Sequence, residues 1–128
     1  MFHKGLKVVN MPKKETEFFD VGLLEWKLID GYPEGAYEKI LSFDEETGAY
    51  TRLLKIEPGV EIREVLEHDF CEEVFIVKGD LTDKRIRKTF TEGMYACRQP
   101  GMKHGPYISH RGFLAIEVRY YGFKRKGE

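Results

Sequence analysis

Residues 58 to 80 read PGVEIREVLEHDFCEEVFIVKGD, and this stretch decides the fold. Its second half, EVFIVKG at 73–79, has the apolar residues and the closing glycine that are typical of a β-strand ending in a turn. Just before it, His68 and Glu72 stand four residues apart, and residues four apart on an extended strand point to the same face. A metal ion beside that face could contact both side chains.

Short runs with an apolar period near two continue on both sides of this stretch, which is typical of β-strands. Gly, Pro and Asp residues separate the runs, because they supply turn geometry at low steric cost. No window of helical length keeps the apolar spacing of a helix. Seven short strands in one domain are expected to hide their edges by forming an all-β sandwich or barrel. The predicted strands are 23–29, 36–43, 49–56, 73–79, 81–90, 94–98 and 112–122.

A chain of 128 residues has room for one domain, which we divide into an N-terminal arm at 1–20, a barrel at 21–122 and a tail at 123–128. The net charge of -1 favours neither nucleic acid nor a membrane surface as a partner. There is no signal-peptide pattern and no apolar run near the roughly 20 residues of a membrane span, so we expect a cytoplasmic protein. Cys71 and Cys97 are expected to be reduced thiols, the second of them packed inside a strand.

A second segment, GMYACRQPGMKHGPY at 93–107, supplies another histidine. A predicted strand ends there in a Pro-Gly turn, and His104 follows three residues later. The turn could bring this imidazole beside His68 and Glu72. Two neutral imidazoles and one carboxylate on one side of an ion leave other positions open, an arrangement that suits non-haem Fe(II) and also zinc or manganese. We therefore predict a metal site formed by these three residues.

The two segments resemble the two motifs of the cupin family, G-x5-H-x-H-x3,4-E-x6-G and G-x5-P-x-G-x2-H-x3-N. His68, Glu72 and Gly79 match the second histidine, the glutamate and the closing glycine of the first motif, while Gly93 and His104 match the second motif. The runs ILSFDEETGAYTRLLKIEPG and GFLAIEVRYYG on either side are similar to the subgroup that contains the cupin domain of the anti-sigma factor ChrR and acetylacetone dioxygenase-like proteins.

This resemblance implies a cupin-type double-stranded β-helix, a jelly-roll barrel that holds one divalent metal ion such as Fe, Zn, Mn or Ni. It implies a small-molecule substrate or ligand, a dioxygenase- or isomerase-like activity, and a homodimer. Two other functions use the same fold. One is a non-catalytic sensor of a metal or ligand, and the other is a structural cupin that has lost its metal.

The ligand set departs from the family pattern at one position. The first motif histidine falls at position 66, where this chain has Leu66, so three of the usual four ligands are present. Glu64, Cys97 or water could complete the set. Glu73 is the alternative to Glu72 as the carboxylate ligand, but strand alternation turns it to the opposite face.

Three arginines, Arg52, Arg98 and Arg119, lie on predicted strands that would line the barrel. An inward guanidinium near an open metal could bind a carboxylate or enolate oxygen in two places, whereas an outward one is an ordinary solvated charge. His3 and His110 are expected to be solvent-exposed. Four aromatic residues are candidates for the pocket wall or for simple packing: Tyr50, Phe75, Tyr95 and Tyr107.

Overall fold

The structure is a computed structural model that describes residues 13–122, so the first part of the predicted arm and the predicted tail lie outside the described residues. A short 3-10 helix, Val21–Leu23, precedes the strands. None of the helices in the described range is long and apolar enough to cross a membrane. The strands are β1 Lys27–Leu28, β2 Ala36–Phe43, β3 Tyr50–Ile56, β4 Glu61–Ile62, β5 Cys71–Asp83, β6 Lys88–Thr91, β7 Tyr95–Arg98, β8 Tyr107–Ile108 and β9 Phe113–Tyr120.

All strand pairs are antiparallel and fall into two sheets that share β5. The first sheet has the order β1-β2-β3-β9-β5-β7, and the second has the order β4-β8-β5-β6. The apolar core lies between them, with contributions from β3, β5 and β9 and from β8. This curled pair of sheets confirms the predicted all-β jelly-roll architecture.

The long strand β5 passes from one sheet to the other at Gly79. The backbone there has a φ of 88°, and a Cβ atom at this position would lie 1.9 Å from the carbonyl oxygen of Gly112. Only glycine can adopt this conformation against so close a neighbour. The prediction of separate strands at 73–79 and 81–90 is therefore wrong. The glycine bends one strand, and the real break is the turn at 84–87.

The other strand predictions differ in accuracy. The prediction at 36–43 coincides with β2, and those at 49–56, 94–98 and 112–122 are correct to within one or two residues. The run at 23–29 forms only the two-residue strand β1, because the chain turns soon afterwards. The two-residue strands β4 and β8 were not predicted, since so short a segment has no periodicity to detect.

Alternation along β3 determines what enters the interior. Tyr50, Arg52, Leu54 and Ile56 are buried, and the residues between them are partly exposed. On the neighbouring strand β9, the inward set includes Glu117. Two charged side chains therefore share the interior with the apolar core, which requires them to be paired.

Candidate metal centre

The structure brings together the three residues that were predicted as metal ligands. His68, Glu72 and His104 each offer one ligand atom, and these atoms all lie within 4.8 Å of one another. Ligands bound about 2.1 Å from one ion are at most about 4.2 Å apart, so a modest contraction of these side chains would bring all three to a single ion. Two imidazole nitrogens and one carboxylate oxygen are a donor set that fits a divalent transition metal.

His104 is held in place from two sides. Its backbone forms an isolated antiparallel bridge with Leu66, with N–H···O distances of 2.7 and 3.0 Å. Its Nδ1 atom lies 2.9 Å from the hydroxyl oxygen of Tyr107. The Nε2 atom is buried and has no hydrogen-bond partner in the described part of the chain. Burial and the positive charge of Arg98 lower the pKa of His104 to about 3, so its imidazole is neutral and its free nitrogen can act as a metal ligand.

His68 lies at the end of a stack of side chains. Its ring is stacked on Phe70 with 4.4 Å between centroids, and the guanidinium of Arg119 covers the Phe70 ring at 4.7 Å and the Tyr50 ring at 4.1 Å. Arg119 is itself anchored, because its Nε and Nη2 atoms donate to the carbonyl oxygen of Gly48. The stack orients the His68 imidazole towards His104, with 5.1 Å between the two ring centroids. Burial lowers the pKa of His68.

Glu72 faces the interior and Glu73 faces outward, as strand alternation predicted. Only 4% of Glu72 is exposed, whereas the Glu73 carboxylate accepts a hydrogen bond from the Tyr95 hydroxyl on the outer face. Burial and the nearby Glu117 carboxylate raise the pKa of Glu72 to about 8, and these effects outweigh the attraction of Arg98, whose Nη1 atom is 3.7 Å away. A cation beside Glu72 would favour its ionised form.

A buried ion-pair network lies next to this group. Arg52 donates to Glu117 from Nε at 2.8 Å, its Nη2 atom lies 2.7 Å from the same carboxylate, and its Nη1 atom donates to Glu38 at 2.9 Å. Glu117 was not among the predicted site residues. The sequence pattern could have identified Glu117, because a glutamate at an inward position of a barrel strand is as unusual as the arginine opposite it.

Two cavities meet at this site. An inner cavity of about 30 Å³, large enough for one or two water-sized groups, is lined by Leu66, Glu72, His104 and Glu117 among others. A larger apolar cavity of about 150 Å³ lies between the edges of the two sheets. Arg98 and His104 line both cavities, so a molecule in the larger one would lie beside His104, one of the three ligand residues.

The arginine and aromatic candidates divide between the interior and the exposed face of the sheet. The side chains of Arg52 and Arg98 are largely buried, and that of Arg119 packs on the rings of Tyr50 and Phe70. Tyr50 and Tyr107 are buried. Tyr95 and Phe75 are paired across β7 and β5 and are largely exposed, yet Tyr95 also lines the apolar cavity. The prediction of a place in the pocket wall therefore holds for Tyr95 but not for Phe75, which lines neither cavity.

The alternative ligands predicted from the sequence lie outside the group of three ligand residues. Cys97 is exposed on the outer face, which corrects its predicted burial and separates it from the ligand group, and Cys71 and Cys97 are both free thiols. Glu64 is exposed and outside the group as well. His110 is exposed as predicted, and His3 lies outside the described residues.

Comparisons with known structures show the same fold. An acetylacetone dioxygenase from Acinetobacter johnsonii superimposes with a TM-score of 0.70 and 15% identity, covering 96% of this chain and 88% of that chain. An RmlC-like cupin from Shewanella frigidimarina gives a TM-score of 0.67 and 20% identity over 89% of this chain and 97% of that one. Similarity at this level of identity shows the fold alone.

The sequence itself assigns the family. A comparison with curated proteins found no match. The structure of Rhodobacter sphaeroides SigE in complex with the anti-sigma ChrR includes a similar domain, with a TM-score of 0.61 and 18% identity over 79% of this chain and 52% of that chain. The family model described as the ChrR cupin-like domain matches residues 14–119. The chain therefore belongs to the ChrR cupin-like domain family.

Proposed function

We propose that this protein binds one divalent metal ion through His68, Glu72 and His104 and uses it to transform a small oxygenated molecule. The observation that carries the proposal is the buried, unpartnered Nε2 atom of His104, a residue whose ligand atom lies within 4.8 Å of those of His68 and Glu72. A buried imidazole nitrogen without a partner is costly unless a ligand satisfies it. Iron, zinc, manganese and nickel all suit this donor set.

The bound metal would act as a Lewis acid towards a substrate oxygen or activate dioxygen beside the substrate. The residues of the chain supply the rest of the site. The Tyr107 hydroxyl holds the His104 ring through its Nδ1 atom, which leaves Nε2 outside this contact, and the stack that ends at Phe70 orients His68. The apolar cavity gives a substrate access to the same place. A dioxygenase- or isomerase-like reaction is the activity that this arrangement supports best.

Metal analysis of the purified protein tests the proposal. We expect about one equivalent of a divalent metal per chain, and we expect His68→Ala and His104→Ala each to lose most of it while remaining folded. His110→Ala is the matched control, since His110 is exposed and lies outside the ligand group. Full metal content in both site variants would refute the assignment. Oxygen consumption by iron-loaded protein with a panel of diketones and small keto acids then tests turnover.

A non-catalytic sensor is the second candidate, and the family itself favours it, because the matching model describes the domain of an anti-sigma factor. Metal binding without turnover of any substrate in the panel would support this function. Leu66 is the feature that favours a third candidate, a structural cupin that has lost its metal. Wild-type protein without bound metal, even after incubation with iron or zinc, would support that one.

We further propose a cytoplasmic homodimer. Within residues 13–122 the strand β7 pairs only with β5, so one edge of the first sheet is open, and pairing with a second copy would cover it. The two free thiols fit a reducing compartment. Light scattering during size-exclusion chromatography distinguishes a 15.0 kDa monomer from a particle of twice that mass.

A further inference from the structure

The apolar cavity has the size and lining of a binding site for a small organic group. Its volume is about 150 Å³, which is close to that of an engineered apolar cavity that binds benzene. The wall is formed by inward residues of β5, β6, β7 and β9 and by the loop before His104. The apolar side chains of this wall include Ile76, Ile86, Phe90, Met94, Met102 and Phe113.

The charged residues at this cavity favour an anion. Three are basic, Arg85, Arg98 and Lys103, and one is acidic. The acidic residue, Asp83, is already used, because its carboxylate accepts hydrogen bonds from the backbone N–H groups of Arg85, Ile86 and Gly105. Arg85 and Lys103 are exposed, so Arg98 is the basic residue of this wall whose charge lies in the interior, where a charge needs a partner.

Arg98 is the basic residue with an unused donor in the interior. Its side chain is 11% exposed, its Nη2 atom donates to the Tyr107 hydroxyl at 2.9 Å, and its Nη1 atom faces Glu72. The Nε atom is buried without a hydrogen-bond partner in the described part of the chain. A carboxylate or enolate oxygen is the acceptor that a guanidinium N–H binds most strongly.

We propose that this cavity binds a small organic monoanion, with a carboxylate or enolate oxygen at Arg98 and an apolar group of about six carbons among the apolar side chains of the wall. The inference rests on the proposed function in one respect, since it treats the molecule bound beside His104 as the substrate. It specifies the substrate class as an apolar acid or enolate, and it excludes sugars and polar polyacids, whose hydroxyl and carboxylate groups would lose water against this wall.

Calorimetric titration with benzoate tests the proposal on the protein as purified, without any need for turnover. Benzoate should bind, and benzamide, which has the same shape without the charge, should bind about tenfold to a hundredfold more weakly. Acetate, which lacks the apolar group, should bind more weakly than benzoate as well. Equal affinity for benzoate and benzamide would overturn the anion assignment, and equal affinity for benzoate and acetate would overturn the assignment of the apolar group.

Two variants on β7 separate the two halves of the site. Arg98→Met should lower benzoate affinity at least tenfold and remove the preference over benzamide. Ala96→Leu fills the cavity from its wall and should weaken both compounds. Cys97→Leu is the matched control for the second variant, because it adds comparable bulk on the exposed face of the same strand. Unchanged benzoate affinity in Arg98→Met or Ala96→Leu, with both variants folded by circular dichroism, would refute the site.

A third variant covers the case in which Arg98→Met or Ala96→Leu fails to fold. Met102→Trp narrows the cavity from an exposed position and should also weaken benzoate binding. Metal content measured on the same samples separates this inference from the proposed function. Benzoate binding by wild-type protein that takes up no metal would uphold the anion site and refute the metal site. Stoichiometric metal without benzoate binding would refute the anion site alone.

Discussion

Removing the positive charge from the buried ion-pair network should destabilise the protein strongly. In Arg52→Met, the Glu117 carboxylate, only 6% exposed, loses the arginine that pairs with it at 2.7 and 2.8 Å. An uncompensated buried charge of this kind costs about 3–5 kcal/mol. Glu38 contributes less to the loss, because 20% of its side chain already contacts solvent.

Urea unfolding followed by circular dichroism measures this cost. For a chain of 128 residues, 1 kcal/mol corresponds to about 3–5 °C in Tm, so in a thermal melt we expect Arg52→Met to unfold roughly 10–25 °C below the wild type. The double variant Arg52→Met/Glu117→Leu should recover most of this loss, because replacing both partners with apolar groups removes the unpaired charge.

The matched control is Arg63→Met, which removes an arginine whose side chain is 85% exposed and 3.7 Å from Glu61. A surface pair contributes at most about 1 kcal/mol, so this variant should unfold close to the wild type. The stabilising role of the buried ion pair is refuted if Arg52→Met loses no more stability than Arg63→Met. It is also refuted if the double variant is less stable than Arg52→Met alone.

Three further outcomes are expected. Gly79→Ala should cost more than about 3 kcal/mol in urea unfolding, whereas Gly93→Ala, which has a φ of 84° but open space around it, should cost about 1 kcal/mol; equal costs would contradict the role of the close approach to the neighbouring strand. Leu66→His should tighten zinc binding in a competition assay, because residue 66 pairs directly with His104 and such pairs present side chains to the same face; unchanged affinity would place residue 66 away from the ion. Tyr107→Phe should weaken zinc binding about tenfold to a hundredfold by releasing the His104 ring, and an unchanged dissociation constant would remove Tyr107 from the support of the site.

Local patterns were sufficient for much of the candidate site. Strand alternation did not place His68, because β5 begins at Cys71 and His68 lies in the preceding loop, where its ring stacks on Phe70. The same rule separated Glu72 from Glu73, and the structure agrees. The face on which Tyr95 lies could not be predicted in this way, because the choice of face depends on the register with β5.

Long-range contacts explain the predictions that were wrong. Gly79 followed by Asp80 is typical of a turn, yet the strand continues, because the Asp80 N–H donates to the Gly112 carbonyl, which only a glycine at position 79 allows to approach. The Asp80 carboxylate accepts hydrogen bonds from the backbone N–H groups of His110 and Arg111, which holds the bend against a distant loop. No window of sequence around residue 79 contains these partners.

The amino-acid sequence by itself determined the β-class of the fold and most of the strand positions, because these follow from side-chain periodicity and from turn chemistry. It also supplied the three residues that could bind a metal, through the donor chemistry of two histidines and a glutamate. Only the tertiary structure decided that His104 lies opposite Leu66, that Glu117 lies beside Glu72, and that an apolar cavity reaches Arg98. The physical reason is that cross-strand register depends on hydrogen bonds between segments that are far apart along the chain.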